Sequence, residues 1–225
     1  KKKFKNNKIK IINQLQSKNL KQISHITVSA IPGIAGLSPT LFMIKKSKKI
    51  LIANKESIIC GWNLLKKHSL KYKTKLIPVD SEHYSIFKLL EGSNLKNVDK
   101  IYITASGGPF LGLDFKRLNK IKPHQALKHP RWKMGKKITV DSSTLVNKVL
   151  EYIEAQKLFN IPKEKLEILI HPESLVHAIV RFKNGLSKFI YHDTSMIIPI
   201  ANAIFKDELI IDKFAKNGKN MNNLT

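Results

Sequence analysis

Asp80 and Glu82 stand two residues apart in PVDSEH (78–83), directly after the apolar pair Leu76-Ile77. That pair reads as the end of a buried strand, and in a strand residues i and i+2 point to one side, so the two carboxylates are expected to converge on one object. A hard divalent cation such as magnesium or manganese suits them, because it favours oxygen ligands and keeps positions open for a substrate. The competing reading is that D-S-E simply caps the next helix, since Asp and Ser are favoured at helix starts. The tripeptide alone does not separate the two. Further along, Asn147, Lys148 and Glu151 lie at spacings of four and three, which share one face of a helix. Glu151 is therefore a candidate third ligand, set against the plainer alternative of a solvated Lys148–Glu151 pair.

Other residues suggest an anion and a cover for it. TASGGPF (104–110) and VDSST (140–144) are turns of small residues, with Ser106 and Ser142, that let backbone amides approach a phosphate. Between them HPRWKMG (129–135) places His129, Trp132 and Met134 on a loop punctuated by proline and glycine, which reads as a mobile lid able to lay an aromatic ring over a ligand.

The elements that must carry these residues alternate. HITVSAI (25–31), KKILIA (48–53), LIPVD (76–80) and KIYITAS (100–106) read as strands, separated by the helical segments GLSPTLFMIKK, SIICGWNLLKKHSL and HYSIFKLLEG. The rhythm is that of an α/β fold. In VDSSTLVNKVLEYIEAQKLF, Ser142 or Ser143 is expected to cap one helix whose Val146, Val149, Leu150 and Ile153 form its apolar stripe. LEILI and HAIVRF read as a strand pair, and NGKNMNNLT as a polar end or connector.

Composition narrows the class. The 225 residues are 42% hydrophobic, enough for a substantial core. A single cysteine, Cys60, rules out an internal disulfide, fits a reducing compartment such as the cytoplasm and reads as core. No run approaches the roughly 20 apolar residues of a membrane span. The net charge of +25 invites a nucleic-acid partner. Against it, arginine is confined to Arg117, Arg131 and Arg181, and no recognition signature interrupts the evenly spread lysines. Attraction to phosphorylated small molecules is the better reading. The chain does not open on methionine and reads as a piece of a longer one.

ANKES (53–57), PVDSEH, ASGGPF (105–110), HPRWKMGKKITVDSSTLVNK (129–148), LEYIEA (150–155) and LEILIHPESLVHAIVRF (166–182) occur in an order that resembles the 1-deoxy-D-xylulose 5-phosphate reductoisomerase family. The resemblance implies the C-terminal part of a Rossmann-type cofactor domain over 1–77, an α/β metal- and substrate-binding domain with a mostly β-sheet core over 78–205, and a connector over 206–225. It implies an NADPH-dependent homodimer, using Mg2+, Mn2+ or Co2+, that rearranges and reduces a ketose phosphate. Asp80, Glu82 and Glu151 match metal ligands. Lys55, Ser81 and Glu82 match contacts to the reacting end of the substrate, with Lys55, Glu82 and Glu151 as the catalytic set. Ser106, His129, Ser142, Asn147 and Lys148 match groups that grip the substrate backbone and phosphate. Asn54, Glu56 and Gly135 match cofactor contacts, with Trp132 and Met134 on the lid. His83 and His177 match positions near the site and are taken as structural. Three mutually repelling carboxylates are expected to tolerate loss of one without loss of the fold.

The chain also departs from the family pattern. It has no glycine-rich GxTGSIG-type loop, so weak NADPH binding and background turnover by this segment alone are expected. TSMIIPI (194–200) stands where a PDMR-xPI segment is usual, Val149 replaces a glycine, and Pro32 interrupts an AIVG-type run. An inactive remnant of the same enzyme is the alternative reading.

Overall fold

The computed structural model describes residues 15, 20, 23–132, 134–205 and 209–211. The basic N-terminal run, Lys133 and most of the connector assigned to 206–225 lie outside them.

The first sheet forms from the apolar runs that sequence periodicity marks. β1 (Ser24–Ser29), β2 (Ser47–Ile52) and β3 (Lys75–Pro78) are parallel and adjacent in that order, joined through helices α1 (Leu37–Ile44) and α2 (Lys55–Tyr72). Ile44, Ile50, Ile52, Ile58 and Leu65 pack into the core between β2 and these helices. Parallel pairing aligns the carboxyl ends of the strands: Ile52 lies opposite Pro78, and the Val79 amide donates to the Ile52 carbonyl at 3.0 Å. The residues that leave these two ends, Lys55 at the start of α2 and Asp80 after β3, therefore emerge side by side.

After β3 comes α3 (Ser81–Leu89), then β4 (Val98–Ala105), a short α4 (Pro123–Ala126), α5 (Lys136–Ser143), α6 (Val146–Phe159), β5 (Leu166–Ile170), β6 (Val176–Phe182), β7 (Ser187–Tyr191) and α7 (Ile197–Phe205). The second sheet has the order β5-β4-β6-β7. Ile86 and Leu89 of α3 and Ala155 of α6 pack on Ile101, Ile103, Ala178 and Val180 of this sheet.

Four expectations are corrected by this architecture. LEILI and HAIVRF do not pair with each other: β5 runs parallel to β4 on one side, and β6 runs antiparallel to β4 on the other. Asp80 and Glu82 are not in a strand, since β3 ends at Pro78 and Glu82 lies in the first turn of α3. Cys60 is exposed instead of core, because it falls on the solvent side of α2. The helix expected from Ser142 onward is two helices. Ser142 and Ser143 close α5, and α6 starts after Leu145, which is left-handed with φ 61° and provides no side-chain cap.

The burial of α6 also departs from its expected apolar stripe, of which only Leu150 and Ile153 are partly buried. Val146 and Val149 are exposed at 46% and 52%, whereas Lys148, Glu151 and Glu154 are buried. Leu145 is the hinge that turns this charged face inward. A non-glycine residue in that conformation costs about 1 kcal/mol, and Leu145 is itself half exposed. Leu145→Gly is therefore expected to raise stability by about 1 kcal/mol in urea denaturation. A lower midpoint would show that its side chain packs usefully over the neighbouring cavity.

Candidate active site

A cavity of about 280 Å³ opens where the carboxyl ends of both sheets meet α5 and α6. Parallel strands present their loops at one end, which is where open α/β sheets hold ligands. Thirteen of the fifteen residues named from sequence line it; Asn54 and Glu56 do not.

Its floor is a charged cluster. Asp80, Glu82 and Glu151 each bring a carboxylate oxygen within 4.8 Å of the others. The Lys55 Nζ lies 2.9 Å from Glu151 and 3.3 Å from Asp80. The Lys148 Nζ lies 2.6 Å from Glu82 and 2.5 Å from Glu151. Asn147 accepts from Lys55 at 2.7 Å and donates to Glu151 at 2.5 Å, and Ser81 donates to Glu82 at 2.5 Å. Burial alone would lower both lysines, but Glu151 together with Asp80 or Glu82 outweighs it and holds each ammonium well above the usual lysine range. Burial and Glu151 would raise Asp80, yet Lys55 and His83 pull its carboxyl well below the usual range. Glu151 is likewise held down, its burial outweighed by Lys148 and Lys55. Lys55, Lys148, Asp80 and Glu151 are thus held in their charged forms. D-S-E does open α3, but Asp80 at its N-cap makes no side-chain capping hydrogen bond and instead meets Lys55 and His83, so the carboxylates converge without capping the helix.

The donor set fits a hard divalent ion. Three carboxylates within 4.8 Å match the span of an oxygen coordination sphere, and their oxygens are gathered at one end of the cavity.

Facing this floor is a neutral, donor-rich wall. Gly107 and Gly108, with φ of 83° and 73°, turn the chain after β4. A Cβ on Gly108 would stand 2.8 Å from the Ser142 carbonyl, so only glycine lets this turn seat against the end of α5. Ser106 Oγ accepts from the Gly108 amide at 3.2 Å and contacts His129 Nε2 at 3.1 Å. His129 Nδ1 accepts from the amides of Arg131 and Trp132, at 3.2 and 2.8 Å, so its proton sits on Nε2, which donates to Ser106. The hydroxyl hydrogen of Ser106 remains for a ligand. Burial and the Lys148 charge keep His129 below the usual histidine range, in this neutral form.

The 129–135 loop is held by several contacts. Arg131 Nε donates to the Pro172 carbonyl at 3.1 Å, and the Trp132 ring meets His177 edge-on at 6.0 Å. His177 in turn stacks on His192 at 3.6 Å.

Asn54 and Glu56 have other partners. The Asn54 carbonyl oxygen caps α2 by accepting from the Ser57 amide at 2.6 Å, and its amide donates to the carbonyls of Ile31 and Gly33. Asn54→Ala removes the cap and its two hydrogen bonds to the 31–33 turn, an expected loss of about 1 kcal/mol in chemical denaturation. Glu56 pairs with Lys137 of α5 at 3.6 Å. Sequence reasoning passed over Ser174 and Met196 and took His177 as structural; all three line the cavity. Ser174 has φ 55° and a buried Oγ without a partner, features that only the folded chain reveals.

Residues 1–61 match a family model described as 1-deoxy-D-xylulose 5-phosphate reductoisomerase, and residues 76–159 match the model of that family's C-terminal domain. The protein named 1-deoxy-D-xylulose 5-phosphate reductoisomerase from Pelagibacter ubique is 56% identical over 207 residues, 90% of this chain and 53% of that one. A crystal structure of DOX-P reductoisomerase in complex with NADPH, fosmidomycin and magnesium aligns with TM-score 0.77 at 37% identity, over 83% of this chain and 48% of the other. The Zymomonas mobilis enzyme in complex with NADPH aligns with TM-score 0.74 at 39% identity, over 82% of this chain and 48% of that one. The chain spans about half the length of these relatives. With two models of one family matched along its length and the carboxylate, lysine and serine groups gathered in one cavity, the chain belongs to the 1-deoxy-D-xylulose 5-phosphate reductoisomerase family.

Proposed function

We propose that the chain carries the metal- and substrate-binding half of an enzyme that isomerises 1-deoxy-D-xylulose 5-phosphate and reduces it with NADPH to 2-C-methyl-D-erythritol 4-phosphate. The observation that carries this reading is the convergence of Asp80, Glu82 and Glu151 opposite the Ser106–His129 wall. Asp80, Glu82 and Glu151 would hold Mg2+ or Mn2+, with Co2+ a further candidate. Bound there, the ion supplies Lewis-acid polarisation of neighbouring carbonyl and hydroxyl oxygens. Lys55 and Ser81 face the same end and stabilise negative charge as the carbon–carbon bond beside the ketone breaks and reforms. Ser106, His129, Ser142, Asn147 and Lys148 hold the phosphate and sugar backbone, whose binding energy orders the reacting end. Trp132 and Met134 would exclude water from the site, Gly135 would be among the groups that hold NADPH, which would supply hydride, and Asn54 and Glu56 would act on the cofactor only through the start of α2 and its tie to α5.

This reading divides the chain into cofactor-domain residues 1–77, catalytic residues 78–205 and a connector over 206–225. It places the protein in the cytoplasm, or in a plastid stroma in a eukaryote, and no described helix is long and apolar enough to cross a membrane. Edge strand β5 exposes Ile168, Leu169 and Ile170, an apolar rim consistent with a homodimer.

Calorimetry of the 225-residue chain tests the assignment. Mn2+ is expected to bind, and 1-deoxy-D-xylulose 5-phosphate to bind more tightly in its presence, with both effects lost in Asp80→Ala. Unchanged Mn2+ affinity in that variant would overturn it. Segments carrying a glycine-rich phosphate loop are expected to be needed for turnover.

A further inference from the structure

His83 is completely buried one helical turn beyond Asp80, and its two ring nitrogens reach both elements that supply the carboxylates. Nε2 lies 2.9 Å from the Glu151 backbone carbonyl, an atom that only accepts, so Nε2 donates. Nδ1 lies 3.1 Å from Asp80 Oδ1 and 3.6 Å from Glu154 Oε2. Glu154 sits on α6 three residues after Glu151, on the same inward face, and is 1% exposed. It lines no part of the cavity. Its Oε2 has no hydrogen-bond partner. A carboxylate buried this deeply is costly to keep unless something requires it.

We infer that Glu154 is a positioning residue for the metal-binding carboxylates, acting through His83. The ring can occupy only one plane if it is to reach the Glu151 carbonyl and the Asp80 carboxylate together. Glu154 fixes that plane from behind, on the side away from the cavity. The start of α3 and the second turn of α6 are thereby clamped to each other, which sets the spacing of Asp80 against Glu151. Oriented ligands need such outer partners, and losing one typically weakens metal affinity 10- to 100-fold. Leu and Ala are the neutral choices for a buried helical position, and both would leave the imidazole free to rotate.

This inference rests on the metal-binding reading above, and the experiment separates the two. Mn2+ affinity is measured by electron paramagnetic resonance on the full chain, on Asp80→Ala, and on Glu154→Leu and Glu154→Gln. Glu154→Leu is expected to bind 10- to 100-fold more weakly. Glu154→Gln keeps an acceptor of the same reach and is expected to stay within about threefold of the parent. The 15N shift of His83 Nδ1, read in the metal-free chain, is expected to move in both variants, because Glu154 faces that atom. Loss of Mn2+ in Asp80→Ala with parental affinity in Glu154→Leu overturns the positioning role alone. Parental affinity in Asp80→Ala overturns the metal reading and this inference with it. Should Glu154→Leu fail to fold, an Nδ1 shift unchanged in Glu154→Gln overturns the role, as does a loss of affinity in Glu154→Gln as large as a ligand's removal.

Discussion

Glu151→Leu is expected to abolish Mn2+ binding and also to lower stability by about 3–5 kcal/mol, the usual result of removing one partner from a buried ion pair. Three carboxylates taken alone suggest mutual repulsion, relieved when one is lost. The folded cluster reverses that expectation, because Glu151 lies between the Lys55 and Lys148 ammoniums at 2.9 and 2.5 Å and is 2% exposed. Removing it strands two desolvated cations with fewer counter-charges. A second substitution distinguishes the roles: Glu151→Leu combined with Lys148→Met should recover part of the stability but none of the metal affinity. Denaturant titrations with and without Mn2+ read both quantities, since a ligand stabilises only the protein that binds it. If the single variant is as stable as the parent, the cluster is wetter than its geometry indicates. If Mn2+ still stabilises it, Glu151 is not a ligand.

Acid should unfold the protein through the stacked histidines. His192 is held down at about 4, by burial first and then by the neighbouring His177, which is itself lowered by burial. The unfolded chain takes up a proton near the ordinary value of about 6.5. Stability is therefore full above that pH and falls as the pH drops towards 4, by roughly 3 kcal/mol at the acid end for His192. Glu154 runs the other way, because burial raises its carboxyl to about 7 and the folded state binds its proton first. His192→Phe keeps a ring against His177 and leaves Glu154 untouched, so the difference between the two proteins isolates the imidazole. Urea midpoints from pH 7.5 to 4.5 should show the parent losing stability relative to the variant. Parallel profiles would mean that His192 is solvated in the folded chain.

Much of this molecule is legible in its sequence, for physical reasons that can be stated residue by residue. β1 to β4 announce themselves because short apolar runs between helical periods have few other folds open to them. Residue types identify the chemistry even where local geometry misleads. Asp80 and Glu82 do converge, though through the first turn of α3 and not through strand alternation. What fails is what depends on partners. Six residues between LEILI and HAIVRF suggest a hairpin, yet β4 supplies an edge to each, and nothing in either strand encodes that choice. The α6 stripe of Val146 and Val149 satisfies the helical period as well as its charged face does. Only the neutralisation of Glu151 by lysines from two elements makes burying the charged face tolerable, and Lys55 lies 96 residues away. Ser174 and Glu154 were silent because an orphaned polar atom exists only after the chain closes around it.

The close seating of the Gly107–Gly108 turn on the Ser142 carbonyl reaches beyond packing. One methyl group at Gly108 would wedge α5 away from β4. Contact at van der Waals range cannot be compressed, so the turn works as a gauge block between the serine-lined end of the cavity and the carboxylate end. Any ligand that spans both ends must match that fixed distance. Gly108 thereby sets the reach of the cavity without lining it.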